Sequence, residues 1–249
     1  MASDYPRPTP ESLSICWTDV RPLAGETAAR WVTRLPDAER ARFERFKHER
    51  SAHEFLVGRL LVRQWLAALT GHLPNDWQFV EGFRGRPEIA GPSTSLRFNL
   101  AHSGGVVACI VTDDRQAGVD VEDLGRRLVE PDLWHRYCAP SEVADIEAQP
   151  EQERHHRFLT YWTLKEAYLK AIGLGIGVHL ADIAFHLGAG EPTVRFHDSL
   201  AGTSTDWAFG MTKVSKEFLV SWATPQPPTT ARPGVEITHV PLPSLDPVR

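Results

Sequence analysis

The sequence predicts an α+β fold, and three observations predict it. Strand-like and helix-like stretches come in blocks: a strand, helices, strands, then helices and strands again. That order lacks the regular alternation that builds a parallel sheet. Each half of roughly 120 residues repeats one helix-then-sheet plan, although no sequence identity links the halves. Of 249 residues, 42% are hydrophobic and 24% charged, the make-up of an ordinary globular chain.

The elements follow in order. LSICWTDV (13–20) mixes apolar and β-forming residues and reads as a first strand. Residues 25–34 carry a helical pattern, and Pro36 sits where a helix can start. From Asp37 to Leu69 the chain is rich in Ala, Arg, Glu and Leu, and only Gly58 interrupts it. One or two helices are expected there, ending near Gly71. Strands are expected at 77–81, 96–100, 105–112 and 117–122, the last two parted by a turn at 112–115. Helices are expected over 131–138, 140–148 and 151–172; Pro140 or Ser141 can start the second and Gly173 can cap the third. Strand-like pieces recur at 183–187, 192–197, 205–213 and 216–223. Seven prolines in the last 26 residues predict an extended surface segment with one strand at 235–240. The boundaries expected are therefore 1–115, 116–223 and 224–249.

Composition narrows the function. A formal charge of −5 speaks against general nucleic-acid binding. Cys16, Cys109 and Cys138 are odd in number and form no CxxC pair, so neither a zinc knuckle nor a disulfide framework is indicated. No run of 18 apolar residues exists, and the N-terminal stretch lacks the apolar core of a secretory signal. A soluble cytoplasmic protein is expected.

Four stretches could carry chemistry. In Gly118-Val119-Asp120-Val121-Glu122, alternation along a strand points both acids one way, roughly 7 Å apart. Such acids need a cation between them, and hard oxygen ligands suit Mg²⁺. A charged strand end explains the motif equally well. In the helix 151–172, Trp162, Glu166 and Lys170 fall at i, i+4 and i+8 on one stripe, with Lys165 on the next face. An exposed Glu–Lys pair is the plainer use of that stripe. Phe98 to Gly105 runs a strand into a small Gly-rich turn carrying His102, a shape that lets a phosphate approach backbone N–H groups; a simple hairpin turn is commoner. Arg40 to Arg63 holds seven Lys or Arg against three Glu. That run is either a solvated face or a polyanion site. Arg84 and Arg86 add two cations in a tight loop.

Taken in order, GRPEI (85–89), FNLAHSGG (98–105), GVDVE (118–122) and WTLKEAYLK (162–170) resemble the 4'-phosphopantetheinyl transferases of the surfactin-synthetase-activating type. RFERFKHERSAHEFLVGRLLVR (42–63) resembles that family's N-terminal half, and RYCAPSEVADIEA (136–148) resembles its short segment between the last two motifs. The resemblance implies two similar α+β subdomains related by a pseudo-twofold axis, with the active site in the cleft between them, in a monomer. It implies transfer of the phosphopantetheine arm of coenzyme A to a serine of an apo acyl or peptidyl carrier protein, with release of adenosine 3',5'-bisphosphate. Asp120, Glu122 and Glu166 would hold Mg²⁺, or Mn²⁺. Glu166 would also serve as general base, Lys170 would neutralise charge on the phosphate and leaving group, and His102 would join them in the catalytic set. His102, Arg86, Arg42, Arg40, Lys165 and Lys170 would contact coenzyme A. No nucleic acid or membrane is implied as a partner. Two departures stand out: Ala101 replaces a serine common in the family, and Glu39 stands where some relatives carry Lys. A binding module that holds coenzyme A or a carrier protein without turnover is the competing reading. A metal-dependent phosphohydrolase acting without a carrier is a third.

Overall fold

The computed structural model describes residues 7–126, 131–174, 178–197, 206–226 and 231–246. The chain forms two compact units, one of Met1–Asp114 with Gly234–Arg249 and the other of Arg115–Pro233. Both mix helices and sheet, as the block order of the sequence predicts.

The first unit begins with strand β1 (Ser12–Asp19), helix α1 (Gly25–Val32) and helix α2 (Asp37–Phe43). A 22-residue helix, α3 (Glu49–Thr70), follows and ends on Gly71 with left-handed backbone. The expected helical stretch is thus two helices, broken around Lys47 and His48. Strands β2 (Gln78–Glu81) and β3 (Pro87–Gly91) make a hairpin, and β4 (Leu96–Ser103) and β5 (Val106–Asp113) make a longer one. Strand β3 was not foreseen, because Pro87 and Gly91 at its ends read as loop signals. The main sheet runs β11-β1-β5-β4, where β11 is Gly234–His239 and lies parallel to β1. The expected strand in the proline-rich segment therefore exists, and it returns to the first unit. Leu56, Leu61, Val62 and Leu66 of α3 are fully buried in the core beneath this sheet. Trp65 adds a tether, since its Nε1 donates to Ser14 Oγ of β1 at 3.1 Å.

The second unit opens with strand β6 (Gly118–Asp123), then α4 (Pro131–Tyr137), α5 (Pro140–Glu147) and the 22-residue α6 (Glu151–Ile172). A small hairpin of β7 (Ile183–His186) and β8 (Thr193–Phe196) comes next, followed by β9 (Trp207–Lys213) and β10 (Phe218–Pro225). The main sheet has the order β6-β10-β9, all antiparallel. Each unit thus pairs one 22-residue helix with one main sheet and one short hairpin. Part of the Gly173-to-Gly177 run falls outside the described residues.

Gly118 decides how α6 lies on β6. A Cβ there would stand 2.0 Å from the Ala167 carbonyl oxygen and 2.4 Å from the Ala171 nitrogen. Helix and strand backbones touch at this point, so no side chain fits. Alternation then aims Asp120 and Glu122 at the same helix, and Val119 and Val121 at the opposite face. All four are buried.

Candidate functional site

On α6, positions 161 to 171 are buried except Trp162, Glu166 and Lys170, which are half-buried. The predicted stripe is therefore the open strip of the C-terminal half of α6, a helix whose first three residues are exposed. Lys170 Nζ lies 2.6 Å from Asp120 Oδ1. Asp120 is 6% exposed, and its second oxygen is buried without a hydrogen-bond partner. Burial pushes its carboxyl up to about 7; Lys170 opposes that push, while Glu122 and Glu166 add to it. Glu166 is raised as well, by burial first, with Glu122 adding and Lys170 opposing. Its Oε1 is buried and unpartnered too. The three acids, up to 46 positions apart, therefore feel one another's charge.

Two groups that sequence reasoning passed over complete this surrounding. Arg126 Nη1 donates to Glu122 Oε2 at 2.7 Å. Ser221, directly across from Asp120 on β10, is fully buried with its hydroxyl unpartnered. The strand register alone would have exposed Ser221, had the pairing of β6 with β10 been foreseen.

The donor set is all oxygen, and two of its buried oxygens lack partners. That combination suits a hard divalent cation, since an unpaired buried carboxylate oxygen is costly. Among the described residues no group of three or more His, Cys, Asp or Glu side chains stands assembled as a metal site. Lys170 occupies one oxygen of Asp120, and Arg126 occupies one of Glu122. A metal would displace or rearrange these cations.

Lys165 departs from expectation. Its side chain is 1% exposed, and Nζ lies 2.5 Å from Glu142 Oε2 in a fully buried ion pair. Nζ also donates to the carbonyls of Tyr137 and Leu180, each at 2.9 Å. Three donors are spent on three acceptors, so none is left for coenzyme A. Glu142 is equally committed: it accepts the N–H of Ala139 at 2.7 Å and that of Phe185 at 2.8 Å. This pair joins α5, α6 and β7.

In the first unit, His102 projects from the end of β4 with 57% of its side chain exposed. Its Nδ1 lies 3.0 Å from Glu54 Oε2. The Gly105 N–H, expected to be open to a phosphate, donates to Glu54 Oε1 at 2.7 Å. Ala101 is buried. Arg86 is half-buried and donates to the Phe98 carbonyl at 3.0 Å. Arg42 is exposed, with its guanidinium 5.4 Å from the centre of the Phe55 ring. Arg40 pairs with Asp37. The basic run 40–63 is less of a surface than its composition suggests. Arg59 and Arg63 are buried and face Glu39, which lies 2.9 Å from Arg63. Glu39 thus neutralises cations of its own chain.

Comparison with known proteins gives these features a family. Residues 116–223 match the model of the 4'-phosphopantetheinyl transferase superfamily. Residues 22–113 match that of the 4'-phosphopantetheinyl transferase N-terminal region. The chain is 34% identical over 160 residues to the 4'-phosphopantetheinyl transferase HetI of Nostoc, covering 64% of this chain and 67% of the relative. It is 31% identical over 213 residues to a phosphopantetheinyl transferase of Thraustochytrium, covering 79% and 72%. It is 27% identical over 180 residues to Sfp of Bacillus subtilis, covering 72% and 79%. A solved holo-(acyl-carrier-protein) synthase of Bacillus anthracis aligns with 45% of this chain and 96% of its own, at 24% identity and a TM-score of 0.38. The chain belongs to the 4'-phosphopantetheinyl transferase superfamily. Its activity is transfer of the phosphopantetheine arm of coenzyme A to a carrier protein.

Proposed function

We propose that the transfer is Mg²⁺-dependent, that its acceptor is a serine hydroxyl of an apo acyl or peptidyl carrier protein, and that adenosine 3',5'-bisphosphate leaves. The observation that carries this reading is the Asp120 carboxyl, buried, raised to about 7, with one oxygen unpartnered and Glu122, Glu166 and Lys170 acting on it. Asp120, Glu122 and Glu166 would hold the ion. Bound there, Mg²⁺ would neutralise pyrophosphate charge.

The chain's own groups supply the rest. Lys170, 2.6 Å from Asp120, places its ammonium beside the candidate metal ligands, and an ammonium beside a departing phosphate stabilises the leaving group. The acceptor hydroxyl must lose its proton as it attacks phosphorus. Glu166 takes that proton, directly or through a water, although a carboxylate that also holds the ion is a weakened base. His102, Arg86, Arg42 and Arg40 are the coenzyme A contacts carried by motif, with Lys165 withdrawn because its donors are spent. The protein acts in solution as a monomer.

Release of adenosine 3',5'-bisphosphate, followed by chromatography, tests the reading. Release should need both an apo carrier protein and Mg²⁺. Release without a carrier would replace it with a phosphohydrolase.

A further inference from the structure

Glu54 has no part in the motifs, yet it is the residue on which the His102 turn is built. It lies on α3, is 5% exposed, and stands 48 residues from His102 in sequence. One oxygen meets His102 Nδ1 at 3.0 Å, and the other accepts the Gly105 N–H at 2.7 Å. Burial alone would raise this carboxyl. The hydrogen bonds from His102 and Gly105, with the charge of His102 and Arg50 nearby, bring it below its ordinary value instead. It is therefore ionised at neutral pH and can only accept.

We infer that Glu54 is a positioning residue for coenzyme A binding: it holds the proton of His102 on Nδ1 and turns Nε2 outward as the nitrogen that meets an anion. This rests on the reading of His102 as a phosphate contact. An acceptor-only partner at Nδ1 requires the proton there. Any second proton His102 takes must then sit on Nε2, the nitrogen facing away from Glu54, where it can donate to a phosphate oxygen. The same carboxylate fixes the turn itself. Gly105 has φ +90°, and a Cβ there would stand 2.6 Å from the Arg21 side chain. The turn therefore takes no side chain at Gly105, and Glu54 accepts its N–H.

A buried carboxylate near a phosphate contact would repel that phosphate unless a proton lay between them. His102 meets Glu54 through Nδ1, so for a phosphate at Nε2 the imidazole would lie between and the negative charge of Glu54 would act through the ring. A clamp that only shaped the turn would need the Gly105 contact alone.

The test is Glu54→Gln, which keeps the size and can still accept from Gly105. Nitrogen-15 NMR of the His102 ring should show Nδ1–H in the wild type and loss of that tautomer in the variant. KM for coenzyme A should rise about tenfold or more, as for loss of one charge-assisted hydrogen bond, with kcat within about twofold. In a His102→Ala background the same change should leave KM unaltered. An unchanged tautomer in Glu54→Gln, or a KM effect that persists without His102, overturns the inference. If His102→Ala alone leaves KM untouched while Glu54→Gln still shifts the tautomer, the reading of His102 as a phosphate contact fails, and the role of Glu54 in substrate binding falls with it.

Discussion

Replacing Lys165 with Met removes an ammonium that is 1% exposed from a partner, Glu142, that is fully buried. The carboxylate keeps two backbone donors, from Ala139 and Phe185, but loses the one countercharge within bonding distance among the described residues. Burial already raises Glu142, and Lys165 is the first group opposing that rise. Breaking one side of such a pair costs about 3–5 kcal/mol. For a chain of this size that lowers Tm by roughly 6–20 °C. The assay is thermal unfolding at pH 7.5, with KM for coenzyme A measured well below Tm. We predict a large loss of stability with KM within about twofold of wild type. Adding Glu142→Gln should recover more than about 1 kcal/mol relative to the sum of the two changes. A stable Lys165→Met protein with a strongly raised KM would refute the reasoning and return Lys165 to the coenzyme.

Further outcomes follow from the same geometry. Gly118→Ala should cost about 1–3 kcal/mol in urea unfolding and lower turnover, because its Cβ meets the α6 backbone at 2.0 Å; an unchanged midpoint and rate would contradict the packing. Mg²⁺ should raise the Tm of the wild type but not of Asp120→Asn. Its affinity by titration calorimetry should weaken as pH falls below about 7, where Asp120 takes up the proton that the ion must expel. Asp145 is held below its ordinary 3.8: burial pulls it up, but Arg157 and Tyr161 outweigh that. A depressed acid contributes stability above its unfolded pKa and loses it as pH falls through the folded one. Asp145→Asn should therefore narrow the gap to wild type in acid unfolding below about pH 4; a gap that widens there would contradict the sign.

Much of this was legible in sequence, for identifiable reasons. Long-range order in α6 follows from one period, so Trp162, Glu166 and Lys170 could be placed on one stripe before any contact was known. Alternation did the same for Asp120 and Glu122. What escaped depends on which elements meet. Nothing local to Lys165 announces Glu142, 23 positions earlier and buried on another helix. Glu54 and His102 meet only because α3 lies over the β4–β5 hairpin. Arg59 and Arg63 looked like surface charge because a run of cations does not reveal which face is turned inward. Gly118 looked incidental until the α6 backbone stood against it.

The proposed transfer is metal-dependent and needs Glu166. Intact-mass spectrometry of an apo carrier protein incubated with the enzyme, coenzyme A and Mg²⁺ tests it most directly. One added phosphopantetheine, about 340 Da from the chemistry of the group, should appear with the wild type and vanish with Glu166→Gln or without metal. Full modification by Glu166→Gln in metal-free buffer, at the wild-type rate, would contradict it.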